Sequence, residues 1–253
     1  LYRNLERLAA KCCNGILCQN RADLQTLTKL HFLPESALFY EGNGVDVDTL
    51  RSHLPERAAI RRELGLEEGD VAVALFARLE PVKDHATFLS ALSRVCAQDP
   101  RCVALLAGAN FGRSGRYERE LCASIERHPF RSRIKLLGFR EDASRLLCGC
   151  DAAALTSRKE GVPRILMEAM SIGLPVAATS APGTRELVRH GVTGLLSPVG
   201  DSEALARNLL EIVRKPELRT RLGAAAARYA QSELAENAVI GRILRAYNGI
   251  GLR

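Results

Sequence analysis

From residue 70 onward, short apolar runs alternate with amphipathic stretches, and this alternation constrains the fold more than any other feature of the chain. The run over 71–76 is apolar throughout, as expected of a strand buried on both faces. Further strands are predicted at 103–107, 134–137, 152–156, 176–178 and 194–196. Helical patterns fall at 85–98, 117–127, 143–148, 163–171 and 184–190, and then at 202–214 and 216–247. In the first of these Phe88, Leu89, Leu92, Val95 and Cys96 share one face. Repeated strand–helix units imply a parallel sheet, right-handed crossovers and flanking helices. The fold class is therefore α/β with a Rossmann-like sheet, whose ligands would sit at the carboxyl ends of the strands. Upstream, 4–13 and 21–30 read as helices, 15–18 and 37–40 as strands, and the Gly/Asn-rich stretch 41–46 as a hinge.

With 47% hydrophobic and 26% charged residues, the chain can build an ordinary globular core. No run approaches the roughly 18 apolar residues of a membrane span. The first residues mix charge into an amphipathic pattern, unlike a signal peptide. They lack an initiator Met and open inside a helical pattern, so the sequence reads as part of a longer protein. The eight cysteines include no Cys-x-x-Cys pair and no His at zinc-finger spacing. They are expected to be buried, reduced thiols of a cytoplasmic protein, with Cys148 and Cys150 in the core ahead of a strand. A net charge of +7 favours anionic partners: nucleoside diphosphates, an anionic membrane surface or nucleic acid. With 5% aromatics, no Trp and no interleaving of aromatic with basic residues, nucleic acid is not expected.

The residues that could carry chemistry follow predicted strands. Arg78 and Lys83 lie in the loop after 71–76, where two cations could hold a diphosphate. Gly108, Gly112 and Gly138 end the next two strands, where a ligand can approach the backbone closely. The segment from Glu160 through Gly161, Val162, Pro163, Arg164 and Ile165 to Glu168 is a polar loop running into a proline-started helix. A helix N-terminus attracts phosphate, and two acids beside it suit a ligand rich in hydroxyls, such as a nucleotide sugar. Arg164 reads equally as a phosphate ligand or an exposed helix arginine. Thr184 is expected to cap the next helix and Glu186 to lie in its first turn. His190 sits where a helix C-terminus would favour a cation. Asp46 and Asp48 form an Asp-x-Asp pair of the kind that binds metal elsewhere, but their place in the hinge favours turn and capping chemistry.

Taken in order, Gly44-Val45-Asp46, Arg78-Leu79 with Lys83, Leu137-Gly138-Phe139, Ser157 through Glu160-Gly161-Val162-Pro163, Glu168-Ala169-Met170, Gly173-Leu174-Pro175-Val176, Gly183-Thr184-Arg185-Glu186 and Gly191-Val192-Thr193-Gly194 resemble the GT4-type retaining glycosyltransferases of GT-B fold, the group 1 glycosyltransferases. The resemblance covers about residues 15–247. It implies two Rossmann-like domains: residues 1–36 would end an incomplete acceptor domain, 37–48 be the hinge, 49–235 bind the nucleotide-sugar donor, and 236–253 cross back as a C-terminal helix.

The resemblance also implies roles. Glu160 would contact donor-sugar hydroxyls and the developing positive charge, and Glu168 the ribose hydroxyls. Arg78 and Lys83 would hold the diphosphate and stabilise the leaving group. Gly138, Phe139 and Arg140 would approach the base through the backbone. The stretch from Gly161 and Val162 to Arg164 and Ile165 would face sugar or phosphate. No cofactor and no metal are implied. The donor would be a UDP-, GDP- or ADP-sugar, and the acceptor a hydroxyl of a lipid-linked or polysaccharide precursor at the inner face of a membrane. Ala77 and Arg164 depart from the family's commonest residues. The part present would bind donor without completing transfer. The alternatives are a non-catalytic nucleotide-sugar-binding module and a GT-B nucleotide-sugar epimerase.

Overall fold

The computed structural model describes residues 2–109 and 115–250, with only the backbone of residues 2 and 3. The chain divides into two units, 1–46 with 231–253, and 47–230. The first begins with α1 (Tyr2–Ala10), β1 (Ile16–Cys18), α2 (Arg21–Lys29) and β2 (Leu38–Tyr40). The second holds α3 (Val47–Ser52), α4 (Arg57–Glu63), β3 (Val71–Phe76), α5 (His85–Cys96), β4 (Cys102–Ala107), α6 (Arg116–Glu126), β5 (Ile134–Leu136), α7 (Ala143–Leu147), β6 (Ala152–Leu155), α8 (Arg164–Ser171), β7 (Val176–Thr179), α9 (Pro182–Leu187), β8 (Gly194–Ser197), α10 (Ser202–Arg214) and α11 (Pro216–Tyr229). The chain then returns to the first unit as α12 (Glu236–Gly249).

In the smaller unit β1 and β2 pair in parallel around α2. β2 covers three of the four residues expected to form a strand at 37–40. The side chain of Asn20 caps α2 by accepting from the Asp23 N–H at 2.7 Å. Arg242 of α12 donates to the carbonyls of Glu41 and Glu233, both at 2.6 Å. Its guanidinium stands 5.6 Å from the Tyr40 ring.

The helix expected over 216–247 is not continuous. A π-type turn over Ala230–Leu234 and an extended Ala235, at ψ 140°, separate α11 from α12. There the Val45 N–H donates to the Leu234 carbonyl at 2.9 Å, and the Glu236 N–H to the Val45 carbonyl at 3.3 Å. A β-bridge thus replaces helical hydrogen bonds, although the Ala-rich sequence favours helix.

The larger unit is built on a six-stranded, all-parallel sheet in the order β5-β4-β3-β6-β7-β8. The chain runs outward from β3 to β5, then crosses back to place β6 beside β3. The order reverses between β3 and β6, and open α/β sheets bind ligands at such a point. All six residues of β3 are buried. Val71, Val73 and Leu75 face one layer, where Phe88, Leu92 and Val95 of α5 meet Leu205, Leu209 and Ile212 of α10. On the other side of the sheet α8 packs against β6, β7, α3, α7 and α11. Asp201 caps α10, accepting from the N–H groups of Glu203 and Ala204 at 3.1 and 2.9 Å.

Some local expectations are corrected. Pro182 starts α9 two residues early, so Thr184 is a buried residue within the helix rather than its cap, and Glu186 lies past the first turn. Nδ1 of His190 accepts from the Leu196 N–H at 2.9 Å, three residues past the end of α9. Cys12 and Cys13 are exposed, whereas Cys18, Cys96, Cys102, Cys148 and Cys150 are buried.

Candidate functional site

The loops after β3 and β6 meet at the point where the strand order reverses, and four contacts join them. The Thr156 hydroxyl donates to the Lys83 carbonyl at 2.8 Å. The Arg158 N–H donates to the Val82 carbonyl, also at 2.8 Å. Nε of Arg158 lies 3.0 Å from Oδ2 of Asp84. Nζ of Lys83 lies 2.6 Å from Oε1 of Glu160, with only 15% and 10% of the two side chains exposed. Asp84 adopts a left-handed conformation, φ 48°, and caps α5 through Thr87, whose hydroxyl donates to Oδ2 at 2.9 Å. That cap ends the β3 loop one residue after Lys83.

Glu160 is held from a second side by α9. The Gly183 N–H donates to the Glu160 carbonyl at 3.2 Å. A Cβ on Gly183 would stand 1.7 Å from the Gly161 carbonyl oxygen, so only glycine allows this approach. Gly108 has the same relation to the other loop, where a Cβ would lie 1.9 Å from the Ala77 carbonyl oxygen, next to Arg78. Gly108 and Gly183 stand out in sequence only as turn and helix-start glycines. Asn110, Phe111 and Gly112, expected to follow Gly108 in a ligand-facing turn, lie outside the described residues.

Beyond Gly161 and Val162 the chain enters α8, with Pro163 at the cap position. The N–H groups of Leu166 and Met167 both reach the Pro163 carbonyl. Helix geometry leaves those of Arg164 and Ile165 at the open, positive end of the dipole. One turn later Glu168 is 8% exposed. Its Oε2 accepts from the Ser144 hydroxyl of α7 at 2.8 Å, and its Oε1 from Nε of Arg164 at 3.0 Å. Sequence reasoning missed Ser144, which carries no motif. The Arg164 side chain is largely exposed, as for an exposed helix arginine, and pairs with Glu168.

Phe76, Arg78, Gly108, Phe139, Arg140 and Ile165 border a depression of about 170 Å³ at the strand ends. Gly138, at φ 67°, turns the chain here, and its carbonyl accepts from the Gly108 N–H at 2.8 Å. The Arg140 guanidinium is turned away to Asp142 at 2.7 Å and Glu63 at 2.7 Å, which raise its pKa further. Near the depression it therefore offers backbone more than charge. Arg78 is more than half exposed and pairs with Glu80 at 3.1 Å. The expected site residues thus lie at the carboxyl ends of the strands, with Arg140's charge directed elsewhere. Asp48 lies in the first turn of α3, and among the described residues no three His, Cys, Asp or Glu side chains are grouped as metal ligands.

An open parallel sheet of this order, with a lysine–glutamate pair and a helix N-terminus at its reversal point, defines a Rossmann-like α/β domain with its site at the strand ends. The family model described as glycosyl transferases group 1 matches residues 56–229, and the chain belongs to that family. It is similar to an Escherichia coli UDP-Gal:alpha-D-GlcNAc-diphosphoundecaprenol alpha-1,3-galactosyltransferase, with 25% identity over 84% of this chain and 54% of that one. It is also similar to a GDP-mannose-dependent monoacylated alpha-(1-6)-phosphatidylinositol monomannoside mannosyltransferase of Corynebacterium glutamicum, with 30% identity over 76% of this chain and 51% of that one. The crystal structure of Anabaena HepE in complex with UDP and glucose superposes with a TM-score of 0.84 at 27% identity, covering 97% of this chain and 66% of that one. The chain spans about half the length of the curated relatives it matches.

Proposed function

We propose that the chain is the donor-binding part of a retaining glycosyltransferase that moves a sugar from a nucleoside diphosphate sugar to a hydroxyl. The observation that carries this reading is the Lys83–Glu160 pair at the sheet's reversal point, beside the open end of α8 and with Glu168 one turn behind. In this reading Arg78, Lys83 and the N–H groups of Arg164 and Ile165 bind the diphosphate. They stabilise the negative charge that grows on it as the anomeric C–O bond breaks. Glu160 accepts from donor-sugar hydroxyls and offsets positive charge at the anomeric carbon. Glu168, set by Ser144 and Arg164, accepts from the ribose. The depression beside Phe139 and Ile165 takes the base against the backbone of Gly138 to Arg140. Cations and a helix dipole supply the positive charge at the diphosphate, so this reading assigns no step to a divalent metal.

The names of relatives support a nucleotide-sugar donor, with UDP or UDP-linked sugar in two and GDP-mannose in a third. The diphosphoundecaprenol acceptor of the E. coli relative supports a lipid-linked acceptor, and the +7 charge supports work at an anionic membrane surface from the cytoplasmic side. Among the described residues no helix is long and apolar enough to cross a membrane. Calorimetric titration with a UDP-, GDP- and ADP-sugar panel tests the reading. At least one donor is expected to bind, and a folded chain that binds none overturns it.

A further inference from the structure

The two side-chain cations assigned to the diphosphate each already hold a carboxylate. Arg78 is 3.1 Å from Glu80, and Lys83 is 2.6 Å from Glu160. We propose that these pairs form an electrostatic latch. The donor's diphosphate must displace carboxylates from their cations, and Glu80 sets donor affinity without contacting the donor. The inference rests on the proposed assignment of the Arg78 and Lys83 side chains to the diphosphate.

The pairs are unequal. Lys83 and Glu160 are nearly withdrawn from solvent, where their attraction is weakly screened. Arg78 and Glu80 are 59% and 28% exposed, where an ion pair is weak. The released carboxylates also meet different fates. An ionised carboxylate accepts hydrogen bonds and donates none, so one freed from a cation can receive hydroxyls. In the proposed complex Glu160 gains sugar hydroxyls. The exchange therefore delivers this acid to the donor sugar as the phosphates arrive. Glu80 has no such compensation. It lies two residues from Arg78, and no donor hydroxyl is assigned to it. It stays beside the diphosphate as a like charge, which weakens binding.

The test is titration of UDP, which carries the diphosphate without a sugar, into the wild-type chain, Glu80→Gln and Glu160→Gln. Glutamine keeps the size of glutamate and removes the charge, so both variants should fold. Glu80→Gln is expected to tighten UDP by roughly two- to fivefold, the scale of an exposed pair. That gain should shrink in about 0.5 M salt, where surface charges are screened. Glu160→Gln is expected to tighten UDP by a larger factor and to lose the extra affinity of the sugar nucleotide over UDP. UDP affinity unchanged or weakened in Glu80→Gln overturns the latch, and the assigned site stands without it. A variant that binds UDP where the wild type shows no binding supports the latch. No UDP binding by any of the three overturns the latch and the diphosphate assignment together.

Discussion

Gly183 and Gly161 approach so closely that a Cβ on the first would sit 1.7 Å from the carbonyl oxygen of the second. The contact carries no side-chain chemistry, yet it fixes the peptide that follows the proposed sugar-binding Glu160. Gly183→Ala must push that peptide or shift the start of α9. The expected cost in stability is about 1–3 kcal/mol, as for other overpacked positions. The sugar-dependent part of donor affinity should fall about tenfold, the scale of one charge-assisted hydrogen bond. Titrating both the nucleoside diphosphate and its sugar nucleotide separates these effects, because affinity for the first should hold. Gly223→Ala is the control. Its Cβ would lie 2.0 Å from the Gly173 carbonyl oxygen, between α11 and the end of α8. It should lower stability without changing the ratio of the two affinities, and an equal change of ratio in both variants would count against a positioning role for Gly183.

Ser144 acts on Glu168 from another helix, donating its hydroxyl to Oε2 at 2.8 Å. Without it, Glu168 keeps only the exposed Arg164 as partner and is less fixed toward a ribose. Ser144→Ala is expected to weaken UDP by about three- to tenfold, the worth of one ordinary hydrogen bond. Inorganic pyrophosphate, which lacks a ribose, should bind unchanged. Parallel weakening of both ligands would show that Ser144 supports α8 as a whole rather than Glu168.

What could be read from the sequence was what repeats locally. The apolar run of β3 and the amphipathic face of α5 announce a buried parallel sheet, and Glu160 and Glu168 share one loop-and-helix segment. Arg78 and Lys83 share one loop, so their common location also followed. What could not be read was every relation that depends on which strands become neighbours. Lys83 and Glu160 are 77 residues apart and meet only because the chain crosses from β5 back to β6 beside β3. The ties of Arg140 to Glu63 and of Ser144 to Glu168 arise from helix packing, and neither residue stands in a distinctive pattern. The break after α11 runs against an Ala-rich helical sequence because Val45, far away in the chain, takes over its hydrogen bonds.

Burial separates the thiols by reactivity. It pushes Cys148 up to about 11 and Cys150 up to about 12, while Cys12 and Cys13 are exposed. Because the thiolate is the reactive form, a disulfide reagent at neutral pH should modify Cys12 and Cys13 rapidly. Cys148 and Cys150 should react only after denaturant is added. Peptide mapping after a short exposure checks this, and early labelling of Cys150 would show that the start of β6 opens in the native state.

His85 gives the fold a pH dependence of its own. It is buried at the start of α5, with Nδ1 3.1 Å from the Tyr117 hydroxyl oxygen. Burial pushes its pKa down to about 4; Asp84 opposes the shift and Lys83 adds to it. In the unfolded chain the imidazole titrates near 6.5. Between these values the unfolded state binds a proton that the native state refuses, so stability falls as pH drops from about 6.5 to about 4. The full loss is about 3 kcal/mol. Asp99 and Asp142, held below the usual range by Arg101 and Arg140, add a loss of the same sign only at the low end of this window, as the unfolded carboxylates begin to protonate. Urea midpoints at about pH 7 and pH 4.5 should therefore differ clearly in the wild-type chain and much less in His85→Gln. The same pH slope in both proteins would assign the loss to other groups.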